Sequence, residues 1–276
     1  MRLLLHEDQL FDDVTVDAVI LLVGAQRDEI QDFVVAKWGE DGQRIDRVSA
    51  DADGWRGWFT TPPTAVAESP AVPAHRLDEV AVVRRGVATG KNAFFLLSED
   101  ALAQRPLPPN ALQRVVHRLR MFGARVTEAS FIALPSSERS WLLSVDQTQS
   151  GLVQVAAYLK NGEDDRVDER YLCKNREPWY DLSRDVVIPD VIVNAMSKDG
   201  FRIVDNEAHA AITNNLYGLK WNDNVAPERR AKVLAWLRSH DGQKALRSAC
   251  RRQGGSLNKL EPKALAALEL PASLFT

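Results

Sequence analysis

The sequence predicts an α+β fold in which short strands precede a helical C-terminal portion. Residues 16–23 and 191–193 are short, apolar and rich in β-branched side chains, as buried strands are. From Pro227 onward, Val233 and Leu237 recur at helical spacing on one face. These patterns indicate an irregular, strand-rich domain that ends in helices.

The first 65 of the 276 residues are predicted to form a small α/β segment of their own. Its candidate strands are residues 16–23 and 44–49, and the glycines at the two ends of residues 39–42 mark a turn. The acidic composition of this segment fits contact with another protein better than contact with DNA.

Four prolines among small residues separate this segment from the rest of the chain. They lie within residues 60–73 and disfavour regular structure, so we predict a linker at residues 66–79 and a main domain at residues 80–276. The predicted elements of the main domain are strands at 94–97, 131–134, 141–145, 186–188, 191–193 and 201–204, a turn or helix at 112–119, and helices at 151–160, 227–240 and 242–251.

The bulk composition excludes several classes of protein. The chain is 45% hydrophobic and 26% charged, and no apolar run approaches the length of a membrane span. Because the N-terminus turns acidic at Glu7, too soon for a signal peptide, we expect a cytoplasmic protein. Cys173 and Cys250 have neither metal-ligand nor disulfide spacing, and the five histidines form no metal pattern, so we expect no cofactor in this chain.

The formal charge of −3 conceals a gradient along the chain. Residues 1–60 carry six Lys or Arg and thirteen Asp or Glu, a charge of −7, whereas residues 228–263 carry ten and three, a charge of +7. Such asymmetry indicates a face that binds a polyanion, although a solvated helix surface has the same composition.

Two motifs in the main domain suit contact with nucleic acid. Residues 86–90 (Gly-Val-Ala-Thr-Gly) are too short for a nucleotide-hydrolysing phosphate loop, and Asn92 stands where that loop has a hydroxyl. The glycines could let backbone amides approach a DNA phosphate, or they could simply form a tight turn. Residues 174–180 combine cations, amides and aromatic rings, which either contact bases and phosphates or anchor the core while Arg176 pairs with a carboxylate.

Taken in order, these segments resemble the target recognition domain of the TaqI-like, Eco57I-type family of adenine-specific DNA methyltransferases. The resemblance spans roughly residues 80–271, and residues 1–60 look like the last strands of that family's catalytic domain. The matching positions are Gly86, Thr89, Gly90, Asn92 and Phe95; Arg176, Pro178, Trp179 and Tyr180; Asn214 to Tyr217; Gly254 to Leu265; and Leu270 with Pro271.

The chain lacks the motifs with which that family performs chemistry. No Phe-x-Gly-x-Gly-like loop for S-adenosylmethionine is present, and the Pro-Pro pairs at residues 62–63 and 108–109 lack both the preceding Asn or Asp and the following aromatic. The target base must be flipped into a pocket that this sequence does not supply. We therefore expect S-adenosylmethionine and catalysis in a methyltransferase partner subunit, and no methyl transfer by this chain alone.

The resemblance implies a module that recognises double-stranded DNA for a methyltransferase, either as a subunit or as part of a split or truncated enzyme. The alternative is a protein–protein scaffold or inhibitor that keeps the recognition fold without touching DNA. Arg84 and Arg85 are further candidates for contact. The residues that we predict to bind DNA are Lys91, Asn92, Lys174, Arg176, Asn214, Arg251, Arg252 and Lys259.

Overall fold

In the computed structural model of the chain, the residues described are 2–6, 19–22, 32–39, 42–49, 75–253 and 257–275. For the first four of these ranges, and for residues 252–253, only the course of the backbone is described. Contacts divide the chain into two compact units. The N-terminal unit comprises Met1–Pro73 with Arg251–Lys259, and the main unit comprises Ala74–Cys250 with Leu260–Thr276.

Strands and helices alternate irregularly along the described chain, in agreement with the predicted α+β class. The strands are β1 (Arg2–His6), β2 (Val19–Leu22), β3 (Asp32–Gly39), β4 (Gly42–Ser49), β5 (His75–Arg76), β6 (Ala81–Arg85), β7 (Leu96–Ser98), β8 (Leu112–Val116), β9 (Arg125–Val126), β10 (Ser140–Leu143), β11 (Val191–Asn194), β12 (Met196–Ser197), β13 (Ile203–Asn206), β14 (Ala211–Ile212), β15 (Leu216–Trp221), β16 (Arg251–Gln253), β17 (Leu257–Lys259) and β18 (Glu269–Leu270). The α-helices are α1 (Asn92–Phe95), α2 (Glu99–Gln104), α3 (Glu128–Ile132), α4 (Val153–Asp164), α5 (Tyr171–Lys174), α6 (Pro227–Arg238), α7 (His240–Ser248) and α8 (Pro262–Ala266).

The N-terminal unit contains a four-stranded sheet in the order β2-β1-β3-β4. Strand β1 is antiparallel to β2 and parallel to β3, and β3 forms a hairpin with β4 that closes at Gly39 and Gly42. The predicted strand at 44–49 is therefore confirmed within β4, and residues 40–41 of the predicted turn lie outside the described ones. The strand predicted at 16–23 is present over Val19–Leu22, and its remaining residues lie outside the described ones, as does most of the predicted linker.

The main unit is built on two sheets. A five-stranded sheet has the order β6-β15-β11-β13-β9, in which β6, β15, β11 and β13 are successively antiparallel. A four-stranded sheet has the order β14-β8-β10-β7, in which β14 and β8 are parallel. A parallel bridge from Val87 to Thr213 extends the β14 ladder toward the end of β6.

Three buried clusters arrange the main unit in layers. One cluster packs Leu219 and other side chains of the five-stranded sheet against Leu237 of α6 and its neighbours on α7 and α8. A second joins the opposite face of that sheet, through Ile192, to Val116 of the four-stranded sheet. A third packs the far face of the four-stranded sheet, including Val115, against α1, α4 and α5. The resulting order is helices, sheet, sheet, helices, in which each sheet is covered on both faces.

The two ends of the main unit are tied together. Strand β5 pairs antiparallel with β18, with His75 opposite Leu270 and Arg76 opposite Glu269. The amide of Leu77 extends this ladder by donating to the carbonyl of Leu268 at 2.9 Å. The predicted helices at 227–240 and 242–251 correspond to α6 and α7, and the one at 151–160 corresponds to α4.

Two predicted elements are wrong because local capping or tertiary pairing prevails over hydrophobic pattern. Residues 131–134, predicted as a strand, belong partly to α3, which begins in a capping box where Thr127 and Ser130 bond each other's amides. Residues 112–119, predicted as a turn or helix, begin with β8, which is held between β10 and β14.

Other predicted boundaries are shifted. The predicted strand at 94–97 is divided, because the amides of Phe94 and Phe95 both donate to the carbonyl of Lys91 and close α1 before β7 begins. The prediction of a strand at residues 186–188 is also wrong, because these residues belong to no strand, and β13 begins at Ile203 instead of residue 201. Residue 251 starts β16 and is not the end of a helix.

Candidate nucleic-acid interface

Glycine at two positions lets the loop after β6 pass close to other parts of the main unit. A Cβ atom at Gly86 would lie 2.3 Å from the carbonyl oxygen of Thr213, so the two backbones could not meet as they do. Gly90 has a φ of +92°, and a Cβ atom there would lie 2.8 Å from Sγ of Cys173. Glycine has no Cβ atom and tolerates a positive φ, so only glycine fits both positions without strain.

The polar side chains of this loop partly satisfy one another. Thr89 is 1% exposed, and its hydroxyl donates to Oδ1 of Asn92 at 2.7 Å. Asn92 is exposed and opens α1, while Lys91 is half-buried just before it. Thr89 therefore fixes the side-chain oxygen of Asn92, one of the predicted contact residues in this loop.

Arg176, which follows α5 in sequence, holds the loop after β6 through hydrogen bonds to two of its carbonyls. Its Nη2 donates to the carbonyl of Ala88 at 2.6 Å, and its Nη1 donates to the carbonyl of Thr89 at 3.0 Å. Its Nε donates to the carboxylate of Asp185 at 2.9 Å, and the side chain is only 12% exposed. Of the two roles that the sequence allows for Arg176, reading DNA or pairing with a carboxylate, the structure has the pairing. Contact with DNA stays a prediction, and three of the five N–H donors are already used within the chain.

The aromatic residues after Arg176 pack behind the same loop. The Trp179 ring lies 5.6 Å from Phe94 and 6.2 Å from Phe95, centroid to centroid. A Cβ atom at Gly162 would lie 2.8 Å from the Trp179 indole, so α4 approaches this cluster closely. Trp179 is thus a structural anchor, as one of the two interpretations of the motif predicted.

Three chain segments that are far apart in sequence end side by side in the main unit. The parallel pairing of β8 with β14, and the parallel bridge from Val87 to Thr213, give these segments the same direction. Backbone bonds continue this arrangement, since Asn214 N donates to Val87 O at 3.0 Å and Thr213 N donates to Val116 O at 3.3 Å. The residues that follow each segment therefore lie at one edge.

This edge carries two guanidinium groups, two side-chain amides and an imidazole. Arg85 is exposed, and its Nε donates to the carbonyl of Asn214 at 2.6 Å. Asn215 is exposed, and its Nδ2 donates to the carbonyl of His117 at 2.9 Å. We refer to Arg85, His117, Arg118, Asn214 and Asn215 as the strand-end surface. Sequence reasoning predicts Arg85 and Asn214 but misses His117 and Arg118, because the residues before them are not predicted as a strand.

The charges of the strand-end surface are only partly balanced. Arg118 forms an ion pair with Glu138 at 3.0 Å, and each partner is about a third to a half exposed. Burial lowers the pKa of the His117 imidazole from its ordinary value; the Arg118 guanidinium lowers it further, and Glu138 opposes this. A neutral imidazole presents one hydrogen-bond donor and one acceptor, which is the chemistry of a base edge.

Not all of the amides in this region are available for contact. Asn206 is 3% exposed, and its Nδ2 donates to the carbonyls of Pro189 and Ala210 at 2.7 and 2.8 Å. Its Oδ1 accepts from the amide of Ala210 at 3.0 Å. Asn206 therefore braces the end of β13 and cannot read bases. Asn214, in contrast, is half-exposed at the strand-end surface.

The basic C-terminal region divides into structural and exposed cations. On α6, Arg229 and Arg230 donate to backbone carbonyls, and Arg238 bonds both the carbonyl of Ile203 and the carboxylate of Asp205. On α7, Lys244 is exposed and Arg247 is half-exposed. Much of the predicted positive surface of α6 thus stabilises the fold.

The last three predicted contact residues lie on the β16–β17 hairpin, which belongs to the N-terminal unit. Arg251 stands directly opposite Lys259, and Arg252 stands opposite Asn258. Arg251 is exposed and Lys259 is half-exposed. Opposed residues of an antiparallel pair share a face, so Arg251 and Lys259 place two positive charges together.

The described residues show neither a metal site nor a membrane span. No three His, Cys, Asp or Glu side chains among them are grouped as metal ligands would be. No helix in the described part of the chain is both long and apolar enough to cross a membrane. Burial raises the pKa of the Cys173 thiol and that of Cys250, the latter to about 11, which fits structural cysteines that stay protonated.

Comparison with known proteins identifies a family of modification enzymes. Residues 65–275 match the family model described as the C-terminal domain of the type II methyltransferase M.Eco57I. The type II methyltransferase M.AccI of Acinetobacter calcoaceticus is 26% identical over 191 residues, which is 67% of this chain and 34% of that protein.

Two solved structures resemble the chain at low sequence identity. The type IIG restriction endonuclease BpuSI superposes with a TM-score of 0.50 at 17% identity, over 98% of this chain and 36% of that one. The type IIL restriction-modification enzyme MmeI, solved in complex with DNA, gives a TM-score of 0.45 at 11% identity over 98% and 34%. This chain spans about a third of the length of each of these proteins.

Proposed function

This chain belongs to the M.Eco57I C-terminal domain family of type II methyltransferases, and on that premise we propose that its main unit recognises double-stranded DNA for an adenine-specific methyltransferase. Methyl transfer and S-adenosylmethionine binding belong to a catalytic part outside this sequence, in keeping with its lack of the family's catalytic motifs. The catalytic part is either a separate subunit or the other portion of a divided enzyme.

The observation that carries this proposal is the strand-end surface. DNA sequence is read by hydrogen bonds to base edges, for which Asn and Arg side chains are the commonest donors and acceptors. Here Asn214, Asn215 and Arg85 are brought together from segments more than 120 residues apart, as the 129-residue separation of Arg85 and Asn214 shows. The side chains of Arg85 and Asn215 also donate to the carbonyls of Asn214 and His117, and these bonds help to hold the strand ends together.

The loop after β6 supports a second type of contact. Phosphate groups fix the register of a protein on DNA, and they are held by cations and by backbone amides that small residues leave accessible. Lys91 and the exposed Asn92 lie at the start of α1, directly after Gly90. Arg176 acts as a positioning residue in this proposal, because it fixes the carbonyls of Ala88 and Thr89 and so the course of the loop.

The proposal is tested with the 276-residue chain and a labelled duplex whose central segment is randomised. Bound DNA is separated by electrophoretic mobility, sequenced, and re-measured across a salt titration. We expect binding at low salt that weakens steeply as salt rises, together with enrichment of a defined sequence. No retardation at low salt, with or without a catalytic subunit, would sink the proposal.

Two matched variants distinguish recognition of the DNA sequence from sequence-independent binding. Replacing Asn214 by alanine should change the bases that are enriched, because its amide is placed at the strand-end surface. Replacing Asn224, an exposed asparagine in the turn before α6, should leave the enriched sequence unchanged. Identical enrichment from the wild type and the Asn214 variant would remove Asn214 from the reading role.

A further inference from the structure

A short connection leads from the strand-end surface to the outer strand of the five-stranded sheet. It comprises residues 117–124, between β8 and β9. The carbonyl of its first residue accepts from Nδ2 of Asn215 at 2.9 Å. Near its other end, Nη2 of Arg202 donates to the carbonyl of Phe122 and, at 3.3 Å, to that of Gly123. Side chains of the main unit therefore hold the connection at both ends.

Both ends of this connection lie at the same edge of the main unit. Strand β15 begins at that edge, directly after Asn215, and its antiparallel partner β11 ends there, with Asn194 opposite Leu216. Because β13 is antiparallel to β11, and β9 is parallel to β13, both β13 and β9 begin at this edge too. Arg202 directly precedes β13. The connection therefore runs along the edge from Asn215 to Arg202 and continues the strand-end surface.

The middle of the connection is a 3₁₀ turn that is fixed in the core. Leu119 and Phe122 are 4% and 6% exposed, and they belong to the buried cluster that contains Ile192. The amide of Phe122 donates to the carbonyl of Leu119 at 3.2 Å. Arg120 lies between these two anchors and is exposed. A turn fixed in this way loses little backbone freedom when its exposed side chain binds a partner.

The charge of this part of the chain favours a polyanion. Residues 101–127 contain five arginines and no Asp or Glu. Three of these arginines pair with carboxylates from outside the segment, and the pairs are Arg114–Glu128, Arg118–Glu138 and Arg125–Glu207. Arg120, in contrast, forms no ion pair with any residue that the structure describes. Residues 163–177, around the exposed Lys174, contain six Asp or Glu and four Lys or Arg, and are less favourable to a polyanion.

An exposed arginine in such a setting suits a phosphate group. A guanidinium group donates two parallel hydrogen bonds to a phosphate, which fixes its position as well as attracting it. The bonds from Arg202 also engage the carbonyl oxygens of Phe122 and Gly123, which would otherwise repel an anion. In duplex DNA the phosphates border the grooves in which base edges are read. A phosphate contact beside the strand-end surface therefore matches the layout of the ligand.

We propose that Arg120 binds a phosphate of the same duplex whose bases the strand-end surface reads, and that the connection of residues 117–124 sets the position of this contact. The inference rests on the proposed function and adds a specific backbone contact to it. Asn215 and Arg202 act as positioning residues, since they hold the two ends of the connection.

The test measures the affinity of the 276-residue chain for a fixed duplex, which contains the enriched sequence, by fluorescence anisotropy over a range of salt concentrations. Arg120→Ala should reduce the slope of log K against log salt by about 0.9, the value for one phosphate contact. Arg120→Lys should keep the wild-type slope, because the positive charge is kept. Lys160→Ala should also keep it, because Lys160 is already paired with Glu163 and Asp164 on α4.

Uncharged phosphate analogues locate the contact on the DNA. In a series of duplexes, one phosphate at a time is replaced by a neutral methylphosphonate. The wild type should lose affinity at a position where Arg120→Ala loses none, because the variant no longer makes that contact. Circular dichroism should show the variants folded, since Arg120 is exposed.

The outcomes separate this inference from the proposed function. A wild-type slope in Arg120→Ala, or an unchanged methylphosphonate profile, would overturn the inference alone and would leave the basic connection for an acidic protein surface. Equal losses of slope in Arg120→Ala and Lys160→Ala would also overturn it, because the effect would then come from overall charge. No binding of DNA by the wild type would overturn the proposed function as well.

Discussion

Arg176 and Asp185 hold each other at 2.9 Å, and this pairing aims the rest of the arginine fork at two consecutive carbonyls of the loop after β6. The carboxylate is about half exposed, whereas the guanidinium is 12% exposed. The two partners therefore differ in how much their loss should cost. Arg176, the buried partner, supports the loop, and Asp185, the more exposed partner, orients the Arg176 guanidinium.

We predict that Arg176→Ala lowers the free energy of unfolding by about 1–3 kcal/mol, because partly buried carbonyls lose their donor. Asp185→Asn should cost about 0–1 kcal/mol, as expected for an exposed partner. Urea unfolding followed by tryptophan fluorescence measures both. Equal midpoints for Arg176→Ala and the wild type would show that the clamp does not stabilise the loop.

Gly90→Ala should destabilise the main unit by about 1–3 kcal/mol, since a non-glycine residue is strained at a φ of +92° and its Cβ would collide with Cys173. Gly123→Ala is the matched control, because a Cβ atom there meets no atom within 4 Å. Its free energy of unfolding should stay within about 0.5 kcal/mol of the wild type. Thermal or urea unfolding measures the stability of both variants. Equal losses of unfolding free energy in the two would contradict the assigned role of Gly90.

Stability should depend on the protonation of His117. Its pKa is lowered in the folded chain, chiefly by burial, so the unfolded chain binds a proton first as the pH falls below about 6.5. The contribution is complete above that pH and is lost as the pH falls toward the lowered folded value. Unfolding of the wild type and of His117→Gln should therefore diverge in slope below about pH 6.5. Parallel slopes would contradict the shift, and the other histidines cancel in this difference.

Lys91→Ala should reduce the slope of log K against log salt for DNA binding by about 0.9, the value for one lost phosphate contact. Lys160→Ala is a suitable control, because Lys160 is already paired with Glu163 and Asp164 along α4. Anisotropy titrations at several salt concentrations give both slopes. If the two variants had the same slope as the wild type, Lys91 would have no role at phosphate.

Local pattern predicts the three longest helices of the main unit, α4, α6 and α7, and some of the strands that are isolated apolar runs. Helix α6 is confirmed from its proline start, and β11 from its valines. Hydrophobic pattern does not predict the strand at residues 112–116, because the sequence of that segment does not reveal that β10 and β14 pair with it on either side. Pairing between distant segments is a property of the whole chain, and hydrophobic spacing does not encode it.

In the candidate site, too, local sequence pattern predicts some features, whereas others depend on contacts between distant segments. The glycines at 86 and 90 indicate a turn. Glycine is required there, however, because Thr213 and Cys173 lie too close for a Cβ atom, and such contacts between distant residues cannot be predicted from the local sequence. His117 stands out no more than the other histidines in the sequence, because its neighbours at the edge come from residues 85 and 214. Arg176 is visible as part of a motif, but its carbonyl partners on Ala88 and Thr89 are 88 and 87 residues away.

The pairing of β5 with β18 closes the main unit at its outer ends. His75 and Leu270 lie on neighbouring strands, about 4.8 Å apart. The chain also leaves this unit after Cys250 and returns to it at Leu260, because Arg251–Lys259 belong to the N-terminal unit. An exchange of the main unit alone between enzymes would therefore need two junctions, one at the paired ends of β5 and β18 and one between Cys250 and Leu260.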